Sequence, residues 1–433
     1  MARARYSTVE MTYNSKSADQ MMECLSSFQY IDVASGSSDS INVELSDVYR
    51  RWIAGWFPKK GDRLRPVICR YHWNKDGEVI KTRCGTFVID DFSFKGGPLR
   101  CSIAAAAMPS TSGFKATERT ATYEKTTLKE IGQKIAARSG LTLFYEAASV
   151  SVESVSQDKQ SDCAFYSDLV VRYGLALKIF NDRLVVFDEA FYESKPVVAT
   201  LTEADIEPDW QWNTTLAGTY TGVSYQYTHS DKNKTFKVDI GGGNRILVCN
   251  DPANNQTEAT LIALAKINNA NKNTTTMRLT LSATSCGIVT TLTGATRSIM
   301  ATDCVQIAGI GQLSGKYYVE QAAYSIGDGL KITLNLRKVE KRFTKQSEPS
   351  APVKLSSSTA ENKKSVVNYK KGDKVRVTKG AKSYSGGKLA SFIFTTVYTV
   401  MQVGGKGLPS DRIVLGTNGT IVVAVRAADL YYA

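Results

Sequence analysis

Histidine is almost missing from this chain. Only His72 and His229 occur, far apart in sequence. That scarcity argues against a histidine-rich metal site, and the zinc-protease pattern HExxH is absent. Paired cysteines are missing too. The eight cysteines, Cys24, Cys69, Cys84, Cys101, Cys163, Cys249, Cys286 and Cys304, form no CxxC pair, and most lie within apolar runs. In a long chain this reads as reduced core thiols, not a disulfide framework or a zinc site. No apolar run approaches the roughly 20 residues of a membrane helix, so no membrane anchor is expected. The N-terminus, MARARYSTVEMTYN, is basic but has no apolar h-region. A cleaved secretion signal is therefore not expected, and synthesis in a cytoplasm is.

What is present is positive charge and β alternation. The formal net charge is +13. Such a balance suits nucleic acid, anionic membranes, anionic wall polymers or an acidic protein neighbour. The lysines concentrate beyond Lys345, at Lys363, Lys364, Lys370, Lys371, Lys374, Lys379, Lys382 and Lys388, with Arg376 among them. Residues 48–65, VYRRWIAGWFPKKGDRLR, interleave two tryptophans and a phenylalanine with six Lys/Arg. Aromatics among basic residues are one signature of nucleic-acid binding. This stretch, however, follows a clear strand, and Lys60, Gly61 and Asp62 read as the turn into the next. Trp52, Trp56 and Phe57 then fall where large aromatics close one end of a barrel or fill a subunit contact.

At about 100–200 residues per domain, 433 residues imply two to four domains. The first third is β. Ile41, Val43 and Leu45 alternate with polar residues, Pro66 to Trp73 follow, Lys75 to Gly77 turn the chain, and residues 85–94 and 99–103 alternate again. The middle is mixed. Thr127 and Glu130 fit a capping box, with Leu128, Ile131 and Ile135 at helical spacing and Gly140 as a stop. A second helix starts near Ser161 and ends at Gly174. A strand pair turns at Asn181 and Asp182. From about 206 the β pattern returns, with one helix over 257–267. Its end repeats the first third: Gly85, Phe87, Ile89 and Asp90 line up with Gly315, Tyr317, Val319 and Glu320. Phe94 lines up with Tyr324, and Leu99, Cys101 and Ile103 with Leu330, Ile332 and Leu334. Asp62 and Leu64 match Asp303 and Val305 more loosely. This pattern predicts a duplicated β-barrel with the mixed unit between the copies, so that a trimer presents six similar modules in a ring.

Two blocks carry a resemblance: SINVELSDVYRRWIAGWFPKKGDRL and CGTFVIDDFSFKGGPLRCSIAAAA. Two more follow in the middle, TERTATYEKTTLKEIGQKIAARSGL and QSDCAFYSDLVVRYGLALKIFNDRLVVFD. In this order they resemble the phage late control protein D family, baseplate hubs of contractile tails similar to the hub portion of type VI secretion spike proteins. The resemblance spans about residues 5 to 340. It implies a homotrimer whose two tube-like barrels per chain adapt a sixfold tail tube to a threefold spike. Partners implied are the tail tube or tube-initiator protein, the central spike, and baseplate wedge or tape-measure proteins. Assembly in a bacterial cytoplasm and residence in a virion tail or bacteriocin particle follow.

The expected fold is mainly β with an α+β insertion. Residues 1–105 are a first tube-like β-barrel, 106–205 an inserted α/β domain and 206–344 a second barrel. Residues 345–366 form a Ser-, Pro- and Lys-rich linker, and 367–433 an SH3-like β module. Candidate subunit or tube-interface residues are Trp52, Trp56, Phe57, Asp90 and Glu320. Candidates for an anionic partner of the C-terminal module, a neighbouring tail protein or a cell-wall polymer, are Lys370, Lys371, Lys374, Arg376 and Lys382.

No enzyme chemistry, metal or cofactor is expected. Neither histidine has an obvious cysteine partner for a thiolate–imidazole pair. Asp90 and Asp91 adjoin in a strand and so should face opposite sides. A glycosidase needs two carboxylates about 5–10 Å apart in a cleft, which no motif here specifies. The glycines at 241–243 lack a phosphate-loop frame and read as a turn. Sequence-specific nucleic-acid binding is not expected: a basic, aromatic lumen would retain passing DNA. The basic excess should face outward or lie in the C-terminal module. The runner-up function is a tail-associated cell-wall lysin targeted by that module.

Overall fold

A computed structural model of the chain describes residues 3–108, 113–230, 233–288, 290–292, 295–345, 369–405, 408–417 and 419–433. Apart from Lys345, the expected linker lies outside the described residues. The chain divides into two compact units, residues 1–353 and 354–433.

The larger unit is organised by one 14-stranded sheet. Its first-repeat strands are β1 (Tyr6–Tyr13), β2 (Leu25–Val33), β3 (Ser40–Ser46), β4 (Arg63–Tyr71), β5 (Phe87–Lys95) and β6 (Arg100–Ala106). The second-repeat strands are β7 (Gln211–Thr214), β8 (Thr275–Thr280), β9 (Cys304–Ile307), β10 (Gly315–Ile326) and β11 (Leu330–Lys338). Within the first repeat the neighbours run β2-β3-β6-β5-β4. Within the second they run β7-β8-β11-β10-β9. The two orders correspond strand for strand.

The register corresponds as well. Ile89 faces Ala105 and Phe92 faces Ile103, with a bulge at Asp90. Val319 faces Leu336 and Ala322 faces Leu334, with a bulge at Glu320. Each bulge follows a matching turn. Ile89 N–H donates to Asp62 O and Gly61 N–H to Ile89 O, while Val319 N–H donates to Asp303 O and Thr302 N–H to Val319 O. Gly61 and Thr302 both have positive φ, +92° and +74°. Only the second turn places a β-branched residue in this region, which costs backbone strain. A shared bulge, turn and strand order go well beyond what two amphipathic hairpins have in common.

One expectation needs correcting. Among the described residues no sheet closes into a barrel, because β10 of the second repeat pairs along its outer edge with β2 of the first. Gln321 to Ile326 run antiparallel to Phe28 to Val33. The inward face of this continuous sheet builds one core from both repeats, including Phe28, Tyr30, Ile41, Val43, Ile103, Leu279, Tyr324 and Leu334.

The middle unit has its own core. A short helix α1 (Asp19–Glu23) precedes β2, and in the middle unit α2 (Leu128–Arg138) carries the capping box: Glu130 N–H donates to Thr127 Oγ1 at 3.2 Å, and Thr127 N–H to Glu130 Oε2 at 3.0 Å. α3 (Asp162–Arg172) starts on the Ser161 cap and stops before Gly174, at φ +76°. Ala176–Phe180 and Arg183–Phe187 form the hairpin through Asn181 and Asp182, both at positive φ, joined by the parallel strand Thr142–Glu146. A second small unit was not separable in sequence. Strands Gly222–His229, Lys234–Gly241 and Ile246–Cys249 form a sheet against α5 (Gln256–Asn271), with a core including Val223, Tyr225, Phe236 and Ile262. It interrupts the second repeat between β7 and β8. The alternation in GVSYQYTH marks a half-buried strand but does not say which sheet owns it.

Two buried ionic clusters tie these insertions to the large sheet. Arg337 on β11, 2% exposed, bonds Glu320, Glu193 and Glu189, the last two on the short helix α4 (Glu189–Ser194). Arg342 meets Glu193 at 2.6 Å and Lys272 meets Glu189 at 3.0 Å. In the other cluster Lys178 bonds Asp32 and Asp39. Burial pushes the Asp39 carboxyl up to about 7 against the opposing pull of Lys178.

Burial alone would raise Glu189 and Glu193, but the surrounding cations outweigh it and hold both below the ordinary 4.5. Their folded pKa is thus lower than the unfolded one, so this contribution is complete above about pH 4.5 and lost as pH falls through the depressed values. Two outcomes are expected. Arg337→Ala leaves buried carboxylates underpaired and lowers unfolding free energy by about 3–5 kcal/mol in urea titrations. Second, wild-type stability drops as pH falls below about 4.5, and this drop is shallower in Arg337→Ala. An acid response identical in both proteins would remove the cluster as its source.

Candidate functional site

The aromatic, basic stretch is built on an aspartate. Asp47 directly follows β3 and accepts from Trp52 N–H and Ile53 N–H, both at 3.0 Å, which folds residues 47–57 into a compact loop. Trp52 is 4% exposed and packs edge-on to half-buried Trp56, ring centroids 5.5 Å apart. The Arg51 guanidinium lies 5.1 Å from the Trp56 ring and 5.4 Å from Tyr49. Trp52 therefore belongs to the chain's own core. The outer side of the loop is apolar and exposed: Val48, Tyr49, Ile53 and Phe57. Phe57 leans on Phe94 at 5.6 Å and on Phe92 at 5.3 Å, beside the outer edge of β5.

That edge is open. β4 pairs with β5 only at Val88 and Phe87, so Asp91 to Lys95 bond β6 alone. β7 ends the sheet on the other side, bonded only to β8. An unpaired edge exposes a row of backbone donors and acceptors to another strand. The two bulge acids differ in fate. Glu320 accepts from Arg337. Asp90 is exposed, and so is Asp91, because the bulge breaks the alternation that would have put them on opposite faces.

The face opposite the core is polar and mostly uncharged, with Gln29, Asn42, Ser102, Ser325, Thr333 and Asn335. Its charges are Lys95, Arg100, Arg278 and Lys331 against Glu44 and Asp91. A groove of about 1010 Å³ lies on this face, between Gln29, Asn42 and Glu44 on one side and Thr280 and Lys331 on the other.

His72 sits in a turn at φ +61°, its Nδ1 accepting from Gly77 N–H at 2.8 Å. All eight cysteines are free. Burial pushes the thiols of Cys69, Cys101, Cys286 and Cys304 up to about 11, which keeps them protonated and unreactive. Among the described residues no group of three or more His, Cys, Asp or Glu is placed to hold a metal.

The C-terminal unit is a five-stranded antiparallel sheet in the order Thr420–Arg426, Leu408–Thr417, Tyr398–Gly405, Lys374–Val377, Leu430–Tyr432. The expected cations do not form one group. Lys370, Lys371 and Lys374 surround a single turn, Arg376 donates to Thr395 O at 3.0 Å, and Lys382 pairs with Lys388 in a separate hairpin. A cluster that the lysine count obscured lies beside that hairpin. Arg412 and Arg426 face each other across neighbouring strands, 6.0 and 5.7 Å from the ring of Tyr384. Tyr384 OH donates to Asp411 at 3.0 Å. Like charges directly opposite are destabilising, so this pair is a candidate contact for an anionic partner.

No protein-family model matches the chain, and no curated protein matches it. Solved structures do. A tail protein from Neisseria meningitidis MC58 is 13% identical with a TM-score of 0.58, covering 79% of this chain and 100% of its own. The 43 kDa tail protein of prophage MuSo2 from Shewanella oneidensis is 12% identical with a TM-score of 0.58, covering 77% and 98%. A component of the type VI secretion system from E. coli aligns more loosely, at 10% identity and a TM-score of 0.45. Over more than three quarters of its length the chain thus shares the fold of the two tail proteins.

Proposed function

We propose that the protein is the structural baseplate hub of a phage tail or phage-tail-like contractile particle, a homotrimer that adapts the sixfold tail tube to the threefold spike. The observation that carries this reading is the doubled sheet unit, in which, among the described residues, the outer half of β5 and the end strand β7 have no strand partner beyond them. Two similar modules per chain make six in a ring of three, while the single-copy insertions repeat only three times. The polar face, with four cations against two anions, is the proposed lumen wall. Its few cations are balanced in part by Glu44 and Asp91, so passing DNA would meet little electrostatic retention. Proposed neighbours are the tail tube or tube initiator on one side and the central spike on the other. The late control protein D resemblance and the tail-protein fold both support this assignment. Assembly takes place in the bacterial host cytoplasm, and the product resides in the particle's tail.

The C-terminal SH3-like unit is proposed to dock an acidic neighbour, a baseplate wedge or tape-measure protein, through Arg412, Arg426 and the adjoining lysines. Wall binding is the competing use of the same cations. The fragment 367–433 is expected not to sediment with purified cell wall. Sedimentation that Arg412→Gln with Arg426→Gln abolishes would give the unit to the wall instead.

Light scattering of the full chain at high concentration, alone and with its spike, is expected to give a trimer mass. A strictly monomeric protein under both conditions would overturn the hub reading. A zymogram on host wall is expected to stay opaque; clearing by the purified protein would favour a lysin.

A further inference from the structure

A cavity of about 650 Å³ lies between the 52–59 segment and the hairpin that leads from β1 into α1. Tyr13, Lys16 and Met21 line one side, and Trp52, Trp56 and Lys59 the other. Met21 and Trp52 are buried and Trp56 is half-buried, whereas both lysines are exposed. The apolar groups thus lie deep and the cations meet solvent, the usual arrangement of a ligand pocket. We propose that this cavity and the adjoining 47–60 loop dock an acidic, apolar peptide segment of another protein. An apolar side chain of the segment enters the cavity, and its carboxylates meet Lys16, Lys59 and the loop cations. The site is complete within one chain, so it does not rest on the hub reading.

Charge selects the partner. Residues 47–60 carry Arg50, Arg51, Lys59 and Lys60, all exposed, against a single acid, Asp47. Asp47 is buried and already accepts from the Trp52 and Ile53 N–H groups. The two acids that line the cavity are engaged as well. Asp62 accepts from Tyr13 OH at 2.6 Å and from Asn14 Nδ2 at 2.8 Å, and Asp19 accepts from Ser17 OH at 2.7 Å. Among the described residues neither Lys16 nor any of the four loop cations is in an ion pair. An acidic segment complements such a surface.

Trp52 is an independent pointer to a ligand. It is 4% exposed and lines the cavity, and its buried indole N–H has no acceptor among the described residues. A buried donor without an acceptor is costly, and a carboxylate or backbone carbonyl brought in by a peptide satisfies it.

The ring contacts favour a peptide over nucleic acid. Arg51 lies over the Trp56 and Tyr49 rings, and Phe57 stacks on Phe94 with an interplanar angle of 19°. These rings already have partners within the chain, whereas a single-strand binder keeps its aromatic faces open for bases. Exposed aliphatic groups adjoin them, Val48 and Ile53. Apolar groups of this kind pack against peptide side chains at protein interfaces.

Peptide display on the full-length protein tests the site. Short random peptides are selected on the wild type and on Lys16→Glu with Lys59→Glu, a pair of exposed positions whose exchange is expected to leave the urea midpoint unchanged. Peptides enriched on the wild type over the variant are expected to combine Asp or Glu with Leu, Phe or Trp. One such peptide, synthesised and labelled, is expected to bind the variant about tenfold more weakly or worse by fluorescence anisotropy. Replacing its acids by Lys is expected to restore binding to the variant. Lys370→Glu with Lys371→Glu makes the same change in net charge outside the site, and is expected to alter affinity by less than about twofold. Equal losses in the two double variants would reduce the binding to net charge and overturn the site. So would a selection that does not differ between wild type and variant, or enriched peptides that are acidic without apolar residues. Binding of oligo-dT or of phosphatidylserine vesicles in place of peptide, lost in Lys16→Glu with Lys59→Glu, would give the surface to nucleic acid or membrane and overturn the peptide. The trimer mass tests the hub reading separately and moves with none of these outcomes.

Discussion

The structure depends on one ladder. Among the described residues, Gln321 to Ile326 against Phe28 to Val33 is the one strand pairing that joins the two repeats, and it turns two half-sheets into one surface with one core. Sequence separation makes it costly to close, since nearly the whole larger unit lies between its strands. Its stability must come from what it buries. Tyr30 and Tyr324 face each other at its centre and are fully buried, flanked by Phe28, Ala322 and Ile332. Burial of side chains of this size, at about 25 cal/mol per Å² of apolar area, is what offsets the closure entropy.

The bulge is the second device, and the repeats use it differently. An extra residue in a strand turns one side chain out of the alternation. In the second repeat that residue is Glu320, and it meets Arg337, which in turn holds Glu189 and Glu193 of α4. The bulge therefore anchors an insertion to the sheet. In the first repeat Asp90 occupies the equivalent place and stays exposed. The same backbone event thus supplies a buried ionic lock in one copy and a surface acid in the other. The buried version specifies geometry more than it stabilises, because desolvating so many charges consumes much of their mutual attraction.

The strands themselves were legible because alternation is a local signal: Ile41, Val43 and Leu45 all point to the core as their spacing requires. The capping box at Thr127 and Glu130 and the turn at Asn181 and Asp182 were equally local. The repeat was legible from Gly85 to Ile103 against Gly315 to Leu334, and the register now aligns those same positions. What was not legible is which edge each strand serves. Alternation says that β10 has a buried face but not that its outer edge meets β2, so an open continuous sheet was read as two closed barrels. The second insertion escaped for the same reason. The stretch 48–65 mixed two signals: Trp52 is core, whereas Phe57 and Tyr49 are surface, and only three-dimensional placement separates them. Arg412 and Arg426 were invisible among the more numerous lysines, because their pairing is set by strand register and not by proximity in sequence.

In the proposed hub, duplication followed by unequal elaboration would answer a problem of symmetry. A chain with a single repeat could build a sixfold ring but would offer six identical faces to a threefold neighbour. Here the two repeats keep strand order, bulge and turn in common, so the sheet looks alike from either one. The insertions break the likeness: the α2–α3 unit follows β6 in the first repeat, whereas the α5 unit interrupts β7 and β8 in the second. In the proposed ring the strands therefore repeat six times and the insertions three. The ionic clusters at Arg337 and Lys178 matter for this reason. They bind α4 and the middle unit to the sheet, which is what a threefold partner would need in order to sense a fixed orientation of the sixfold surface.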